Sequence, residues 1–305
     1  MKIYLNEANE SWVVDRFRKE WIENNLDSMT ENIEEADIVW IIAPWTWKKI
    51  NKKHLKNKKV VCTIHHIDFE KFNNKEKKNF YKRDKYVDTY HAISTKTEEQ
   101  VRSLTDKDIE TIPFWINQNI FYEIKNKNIL RSKFNLNTES FIVGSFQRDT
   151  EGKDLISPKL SKGPDRFIEI LIELNKKNKN IEVLLTGKRR DYLIKNLKKN
   201  KIPYIYHEMT TFEKLNELYN CIDLYIVASR VEGGPQAILE CAITKTPIIS
   251  TDVGIASKIL HESSIFTMEN FSTAKPSESY AYKNSIKYKI PEWFDNFENL
   301  FKSMI

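Results

Sequence analysis

The sequence predicts an α/β chain of two domains, each organised around a parallel sheet of βαβ units. Its 305 residues are many for one hydrophobic core, because cores stop growing near ~250–300 residues. Short apolar runs recur along the whole chain with helix-like segments between them, the alternation that builds parallel sheets. A polar, irregular stretch over residues 119–137 separates two such series. The boundary therefore falls near residue 116, within Pro113-Phe114-Trp115-Ile116-Asn117, giving a first domain over 1–116 and a second over 117–290.

Each element has its own signal. In the first half, strands are expected over 2–5, 38–43, 60–64, 90–93 and 110–112. In the second half they are expected over 141–144, 182–186, 204–206, 223–228 and 247–251, all short and rich in Ile, Val, Leu or Tyr. Helices fit between them at 11–24, 95–104, 165–175, 191–199, 211–220 and 235–244. Ser94 and Thr95 followed by Glu98 form a start signal for one of these. The final segment, 291–305, reads as an amphipathic helix with Trp293, Phe294, Phe297, Leu300 and Phe301 on one side.

Composition narrows the class. Hydrophobic residues make up 40% and charged residues 30% of the chain, and mean hydropathy is −0.56. That combination describes a folded protein with a water-facing surface and excludes a disordered one. No apolar run approaches the ~18–20 residues of a membrane span. The opening Met1-Lys2-Ile3-Tyr4-Leu5-Asn6 turns polar too early for a secretory signal, so a cytoplasmic location is expected. The three cysteines, Cys62, Cys221 and Cys241, imply neither a disulfide framework nor a zinc site. A net charge of +6 suits anionic partners, whether nucleotide diphosphates, acidic lipid or nucleic acid, and does not choose among them.

The halves differ in where glycine sits. All seven glycines, Gly144, Gly152, Gly163, Gly187, Gly233, Gly234 and Gly254, lie in the second half, after predicted strands or opening loops. Open α/β sheets bind ligands beyond the carboxyl ends of their strands, so the second half is the nucleotide-binding candidate. The first half instead holds six of the seven tryptophans: Trp12, Trp21, Trp40, Trp45, Trp47 and Trp115. Neither a Gly-x-Gly-x-x-Gly fingerprint nor a P-loop is present.

Residues 223–251 form the richest unit: strand, loop, helix, strand. Proline is favoured at the first helical position, so Pro235 is expected to start a helix there. The amides of Gly233, Gly234 and Gln236 would then point outward at the positive end of the helix dipole, with no Cβ at two of the three positions to obstruct an anion. Glu232 precedes the helix, at the reacting end of any ligand whose phosphates lie on those amides. Glu240 lies over a turn inside, where a carboxylate can accept hydrogen bonds from paired hydroxyls.

The segment Ser229-Arg230-Val231-Glu232-Gly233-Gly234-Pro235-Gln236-Ala237-Ile238-Leu239-Glu240 resembles the Glu-x7-Glu motif of retaining GT-B glycosyltransferases, family 4 in particular. Thr246-Pro247-Ile248-Ile249-Ser250-Thr251-Asp252-Val253-Gly254 is similar to the same family. The resemblance implies two Rossmann-like domains facing an interdomain cleft, with the tail 291–305 returning to the first domain. It implies transfer from a nucleotide-diphosphate sugar (UDP- or GDP-linked) to a glycan, lipid-linked or other surface-polysaccharide acceptor, with retention of anomeric configuration. Glu232 inherits the contact to the donor sugar and Glu240 the contact to the ribose. Gly233, Gly234, Pro235, Gln236 and Gly187 join the donor-binding set. The family places an arginine and a lysine against the donor diphosphate, which makes Arg148 and Lys162 the candidates, from Phe141-Ile142-Val143-Gly144-Ser145-Phe146-Gln147-Arg148 and Lys162-Gly163-Pro164-Asp165. Three residues separate Gly144 from Arg148 and a long loop leads to Lys162, both departures from the commoner pattern, and Lys153 and Lys159 compete for the lysine role. Base recognition is expected around residues 187–189 and 206–207.

In the first half, Val60-Val61-Cys62-Thr63-Ile64-His65-His66 sets two histidines at a strand's carboxyl end. Family members carry a histidine there facing the donor, and register favours His65. Ser94 reads as a helix cap. Asp106-Lys107-Asp108 matches the Asp-x-Asp pattern of metal-dependent glycosyltransferases in form but reads as a loop. No cluster has metal-ligand spacing, so neither a metal nor another cofactor is expected, and no nucleic-acid partner. Over residues 45–59, Trp45, Trp47, Ile50 and Leu55 interleave with seven lysines, a pattern that can dock peripherally on anionic membranes; a solvated basic surface is the alternative. The other function classes are a non-catalytic nucleotide-sugar-binding homologue, a sugar-nucleotide epimerase of GT-B-like fold, and a DNA-modifying glucosyltransferase of similar fold, none with a positive feature equal to the glutamate pair.

Overall fold

The computed structural model describes every residue except Ser11, Trp12, Lys153, Asn178 and Lys179. The first two positions of the helix expected from residue 11, Trp12 of the tryptophan set and the candidate Lys153 thus lie outside the described residues. The chain divides into two compact units, Met1–Trp115 with Tyr288–Ile305, and Ile116–Lys287.

The first unit runs β1 (Ile3–Leu5), α1 (Val13–Asn24), β2 (Ile38–Ile41), α2 (Lys52–Asn57), β3 (Lys59–Ile64), α3 (Asn74–Asp84), β4 (Thr89–Ala92), α4 (Thr95–Arg102) and β5 (Asp108–Thr111). Its sheet has the order β1-β2-β3-β4-β5, every pair parallel. Side chains alternate across a strand, and both faces are covered. Ile38 and Trp40 enter one core with Phe17 and Trp21 of α1. Val39 and Ile41 enter another with Leu55, Phe80 and Val101. Burial on both faces explains why β2 reads as an unbroken apolar run.

Aromatic rings fill the first of these cores. Trp21 lies edge-on to Trp40 at 5.4 Å and to Phe294 at 5.1 Å between ring centroids. Buried indole N–H groups need partners, and two have them: Trp40 donates to Thr63 Oγ1 at 2.8 Å and Trp115 to Glu20 Oε2 at 2.7 Å. The last helix of the chain, Phe294–Lys302, belongs to this unit and buries Phe294, Phe297, Leu300 and Phe301 in the same core. Trp293 anchors its start through a 2.7 Å bond to the Pro113 carbonyl. Among the described residues, the tryptophans concentrated in the first half are therefore chiefly core residues, with Trp45 the exposed exception.

The second unit contains α5 (Lys127–Lys133), β6 (Phe141–Ser145), α6 (Pro164–Lys177), β7 (Ile181–Thr186), α7 (Asp191–Lys199), β8 (Tyr204–His207), α8 (Phe212–Asn220), β9 (Leu224–Val227), α9 (Gln236–Thr244), β10 (Ile248–Thr251), α10 (Ala256–Ile259), β11 (Ile265–Phe266) and α11 (Glu278–Ser285); the tail helix Phe294–Lys302 is α12. Its parallel sheet has the order β11-β10-β9-β6-β7-β8. The chain enters mid-sheet at β6, builds outward through β7 and β8, then crosses back and builds the other way from β9. The reversal makes a crevice at the carboxyl ends of β6 and β9, the topological switch point where such sheets take ligands. Among the described residues, no helix is long and apolar enough to cross a membrane.

Candidate functional site

Two loops leave that switch point, residues 146–163 after β6 and 228–235 after β9, and the sequence stitches them together. The Ser161 carbonyl accepts from the amides of Arg230 at 2.8 Å and Val231 at 3.1 Å. Arg230 grips Asp165 with both ends of its guanidinium, at 2.8 and 2.6 Å, and also donates to the Leu160 carbonyl at 2.9 Å. A fork-on-carboxylate pair fixes geometry as well as adding energy. Gly163, at φ +61°, lies so close to β9 that a Cβ there would sit 1.9 Å from the Ala228 oxygen. No other residue permits that approach.

The stitching brings Lys162 onto Glu232. Their side chains form an ion pair, with Glu232 mostly buried and Lys162 less so. Ser229 Oγ lies 3.4 Å from the same carboxylate oxygen, and Gln147 Nε2 donates to the Lys162 carbonyl at 3.2 Å. Arg148 curls over its own loop, Nε donating to the Thr150 carbonyl at 2.7 Å. Lys159 shares the neighbourhood: burial first, then repulsion from Lys162 and Arg148, lowers its ammonium pKa to about 8. Of the sequence candidates, Lys162, Arg148, Glu232 and the rival Lys159 thus form one charged cluster.

Beside it lies the start of α9. The helix begins at Gln236, with Pro235 one position earlier, at φ −59° and ψ 114°. This corrects the expected start by one residue: the proline's fixed φ suits the turn, while its extended ψ keeps it outside the helix. Among the described residues, the amides of Gly233 and Gly234 have no hydrogen-bond acceptor. Both glycines keep negative φ, so their value is the missing side chain rather than an unusual backbone. Gly254, by contrast, is at φ +56°, and a Cβ on it would lie 2.4 Å from the Gly233 oxygen. The turn after β10 therefore backs the glycine pair, and Thr251 Oγ1 braces the same loop by donating to the Ser229 carbonyl at 2.7 Å.

Glu240 lies one turn into α9 and is 5% exposed. The Tyr219 hydroxyl donates to its Oε2 at 2.7 Å, and burial followed by the Glu240 charge pushes the Tyr219 pKa well above its usual range. Tyr219 therefore stays a neutral donor that orients the carboxylate. Gly187, at φ +89°, turns the chain after β7, where its carbonyl accepts from the Tyr206 hydroxyl at 3.0 Å. Next to it the buried Arg190 donates to Asp149 Oδ2 at 2.8 Å, to the Thr186 carbonyl at 2.9 Å and to Ser145 Oγ at 3.2 Å. This pins the post-β6 loop to the end of β7.

In the first unit, His65 stands at the carboxyl end of β3. Its Nε2 meets the Ile42 carbonyl at 2.9 Å; a carbonyl only accepts, so Nε2 carries the proton and Nδ1 is the acceptor. Burial lowers its pKa to about 4, so at neutral pH the ring can accept a hydrogen bond and is not an acid. Ser94 caps α4, accepting from the Thr97 amide at 3.3 Å. Asp106, Lys107 and Asp108 are exposed and lead into the amino end of β5, away from the strand ends that carry ligands. Of the apolar members of the stretch 45–59, Trp47, Ile50 and Leu55 are buried, and Trp45 is exposed, at 46%. The apolar members complete the core beneath β2 and β3, and the lysines face water.

Sequence reasoning missed Arg230, Asp165, Tyr219 and the Asp149–Arg190 pair. Arg230 and Asp165 stood inside quoted motifs and could have been weighed as a pair; Tyr219 and Arg190 reach the site only through the crossover order of the sheet. Among the described residues, no group of three or more His, Cys, Asp or Glu side chains could hold a metal ion.

A parallel sheet with a switch point, a loop with unengaged amides there and clustered cations is an arrangement suited to an anionic ligand. Residues 155–279 match the family described as glycosyl transferases group 1, which the chain resembles over that segment. No curated protein matches by sequence. Solved structures extend the likeness to nearly the whole chain. Anabaena HepE in complex with UDP and glucose superimposes with a TM-score of 0.78 at 12% identity, covering 99% of this chain and 100% of that one. The sucrose-phosphate synthase of Thermosynechococcus elongatus gives 0.70 at 13% identity, over 95% and 77%. A point mutant of Staphylococcus aureus TarM, in complex with fondaparinux, α-GlcNAc-glycerol and UDP, gives 0.65 at 19% identity, over 87% and 55%. The fold is GT-B, two Rossmann-like domains with parallel sheets.

Proposed function

We propose that the protein transfers a sugar from a nucleotide-diphosphate sugar to a glycan, lipid-linked or other surface-polysaccharide acceptor, with retention of anomeric configuration. The observation that carries the reading is the cluster at the switch point: Lys162 paired with Glu232 beside the unengaged amides of Gly233 and Gly234, with Glu240 buried one helical turn away. Amides at a helix start take phosphate; a carboxylate before the helix takes sugar hydroxyls; a buried, tyrosine-oriented carboxylate takes ribose hydroxyls. UDP and glucose in the HepE structure are ligands of the kind this arrangement suits.

In the reaction proposed, the bond between the anomeric carbon and the diphosphate oxygen breaks, and its electron pair stays with the diphosphate. The acceptor oxygen bonds to that carbon on the same face and passes its proton to the departing phosphate oxygen. Arg148, Lys162 and the loop amides meet the charge gained by the diphosphate, worth ~10²–10³ in rate per fixed donor, in a metal-independent reaction. His65 Nδ1 is assigned to accept a hydrogen bond from a sugar or acceptor hydroxyl. Lipid-linked acceptors would be approached from the lysines of 45–59, by charge more than by apolar contact.

The test is nucleotide release from UDP-, GDP-, ADP- and CMP-sugars with and without glycan and lipid-linked acceptors, followed by NMR of the product anomer. Acceptor-dependent release with retained configuration is expected. Conversion of the donor to its epimer without acceptor would replace the reading, and an inverted product would overturn retention.

A further inference from the structure

The cluster holds one cation more than the arginine and lysine that the resemblance assigns to the diphosphate. Lys159 and Lys162 bracket a single turn of 3₁₀-helix, Leu160–Lys162, with the Lys162 amide donating to the Lys159 carbonyl at 2.8 Å. Lys159 is the cap residue of that turn, so its backbone is fixed one turn from Lys162. Lys159 is fixed from behind as well. Its amide donates to the Asp149 carbonyl at 2.8 Å, Thr150 and Pro158 form an antiparallel bridge, and Asp149 is held by the buried Arg190. A lysine in a long loop is thereby held in place.

Its charged surroundings are Lys162, Arg148, Glu232 and Glu151. Among these described groups, three cations face two carboxylates, and Lys162 is already paired with Glu232. Removing Lys159 leaves two against two among these groups, and the Gly233 and Gly234 amides as the remaining attraction for an anion. Resting on the donor-site reading above, we infer that Lys159 is a third cationic ligand of the donor diphosphate, supplying the positive charge that the Lys162–Glu232 pair does not leave free. The diphosphate gains one negative charge as the sugar departs, so this cation counts for more at that point than in the resting donor complex.

The crowding gives the test its signature. Burial, then Lys162 and Arg148, bring the Lys159 ammonium pKa down to about 8, with Glu232 and Glu151 pulling the other way. A diphosphate seated beside it restores the proton, so donor binding above that pH takes up protons, while the diphosphate diester itself stays fully ionised. The experiment is titration calorimetry at pH 7 and 8.5, in buffers of different ionisation enthalpy, on wild type, Lys159→Met and Lys159→Arg. The probe is whichever of UDP-, GDP-, ADP- or CMP-sugar wild type binds.

The expected result is proton uptake by wild type at pH 8.5, none by Lys159→Arg, and binding by Lys159→Met at pH 7 weaker by about tenfold, the effect of one charge-assisted hydrogen bond. Wild-type affinity and unchanged proton uptake in both variants would overturn the inference while leaving the donor site standing. Absence of binding by wild type to all four sugars would remove the donor reading, and this inference with it. Should Lys159→Met fail to fold, retained proton uptake in Lys159→Arg alone would be decisive against it.

Discussion

Replacing Gly254 with alanine tests whether the turn after β10 positions the glycine pair. A Cβ on Gly254 would lie 2.4 Å from the Gly233 oxygen, 2.6 Å from its carbonyl carbon and 2.8 Å from the Gly234 nitrogen. All three atoms are backbone, so no side chain can swing aside. Reaching even 3.0 Å from the oxygen needs a displacement of about 0.6 Å, the difference between 3.0 and 2.4 Å. Two terms add: about 1–2 kcal/mol for a non-glycine residue at φ +56°, and about 1–3 kcal/mol for the forced contact. A loss of about 2–5 kcal/mol in urea denaturation is expected. Because a shift of this order in positioning groups can cost about 10²-fold, donor affinity should also fall by at least tenfold. Gly152 is the control, with φ +76° and its nearest atom, the Asp154 side chain, 3.4 Å from a built Cβ. Gly152→Ala should lose only the backbone term, about 1–2 kcal/mol, and none of the affinity. If Gly254→Ala matched Gly152→Ala in both measurements, the bracing account would be refuted.

Other parts of the structure yield further predictions. Glu240→Ala should weaken donor binding by about 1.5–3 kcal/mol through lost charge-assisted bonds, and a 2′,3′-dideoxyribose analogue of the donor should show no such difference; equal calorimetric losses for both ligands would contradict the ribose assignment. Arg190→Met leaves Asp149, 2% exposed, without its cation, and should lower stability in denaturant by about 3–5 kcal/mol; a loss under about 1 kcal/mol would show the pair to be dispensable. Phe297→Ala, at the fully buried centre of the α12 contact, should lose about 3–5 kcal/mol, measured the same way. His91 is fully buried between Thr63 Oγ1 and the Ile112 carbonyl, and burial lowers its pKa to about 4. The unfolded chain takes up this proton from about pH 6.5 downward, so the stabilisation from neutral His91 is present above that pH and is lost as pH falls towards 4. The stability gap between wild type and His91→Gln should therefore shrink from pH 7 to pH 4.5; a constant gap would contradict a neutral buried His91.

Much of the fold was legible because the inner strands are buried along their whole length, as β2, β9 and β10 are, which writes them as largely apolar runs. All ten expected strands correspond to strands of the structure. β11 is only Ile265–Phe266 and falls below any periodic signal. The lysine-rich helix Asn74–Asp84 buries only Phe80 and Arg83, so it shows no apolar stripe. The glutamate pair and its helix were readable because turn chemistry and motif agree within a dozen residues. Tyr219, Arg230 and Arg190 were not readable as site residues, since their places depend on how β9 returns beside β6. The basic stretch 45–59 is ambiguous for a related reason: interleaved lysine and tryptophan describe a half-buried 3₁₀ turn and short helix as well as they describe a docking face.

The central claim is that the switch point of the second unit holds the nucleotide sugar through Lys162, Glu232, Glu240 and the Gly233–Gly234 amides. A thermal-unfolding panel of wild type with UDP-, GDP-, ADP- and CMP-sugars tests it most directly, with Glu240→Ala alongside. A ligand at 100 times its dissociation constant adds about 2.7 kcal/mol of stability. The account predicts that at least one of the four raises the wild-type midpoint, by a margin that Glu240→Ala largely loses. No rise with any of them, or an equal rise in the variant, would contradict it.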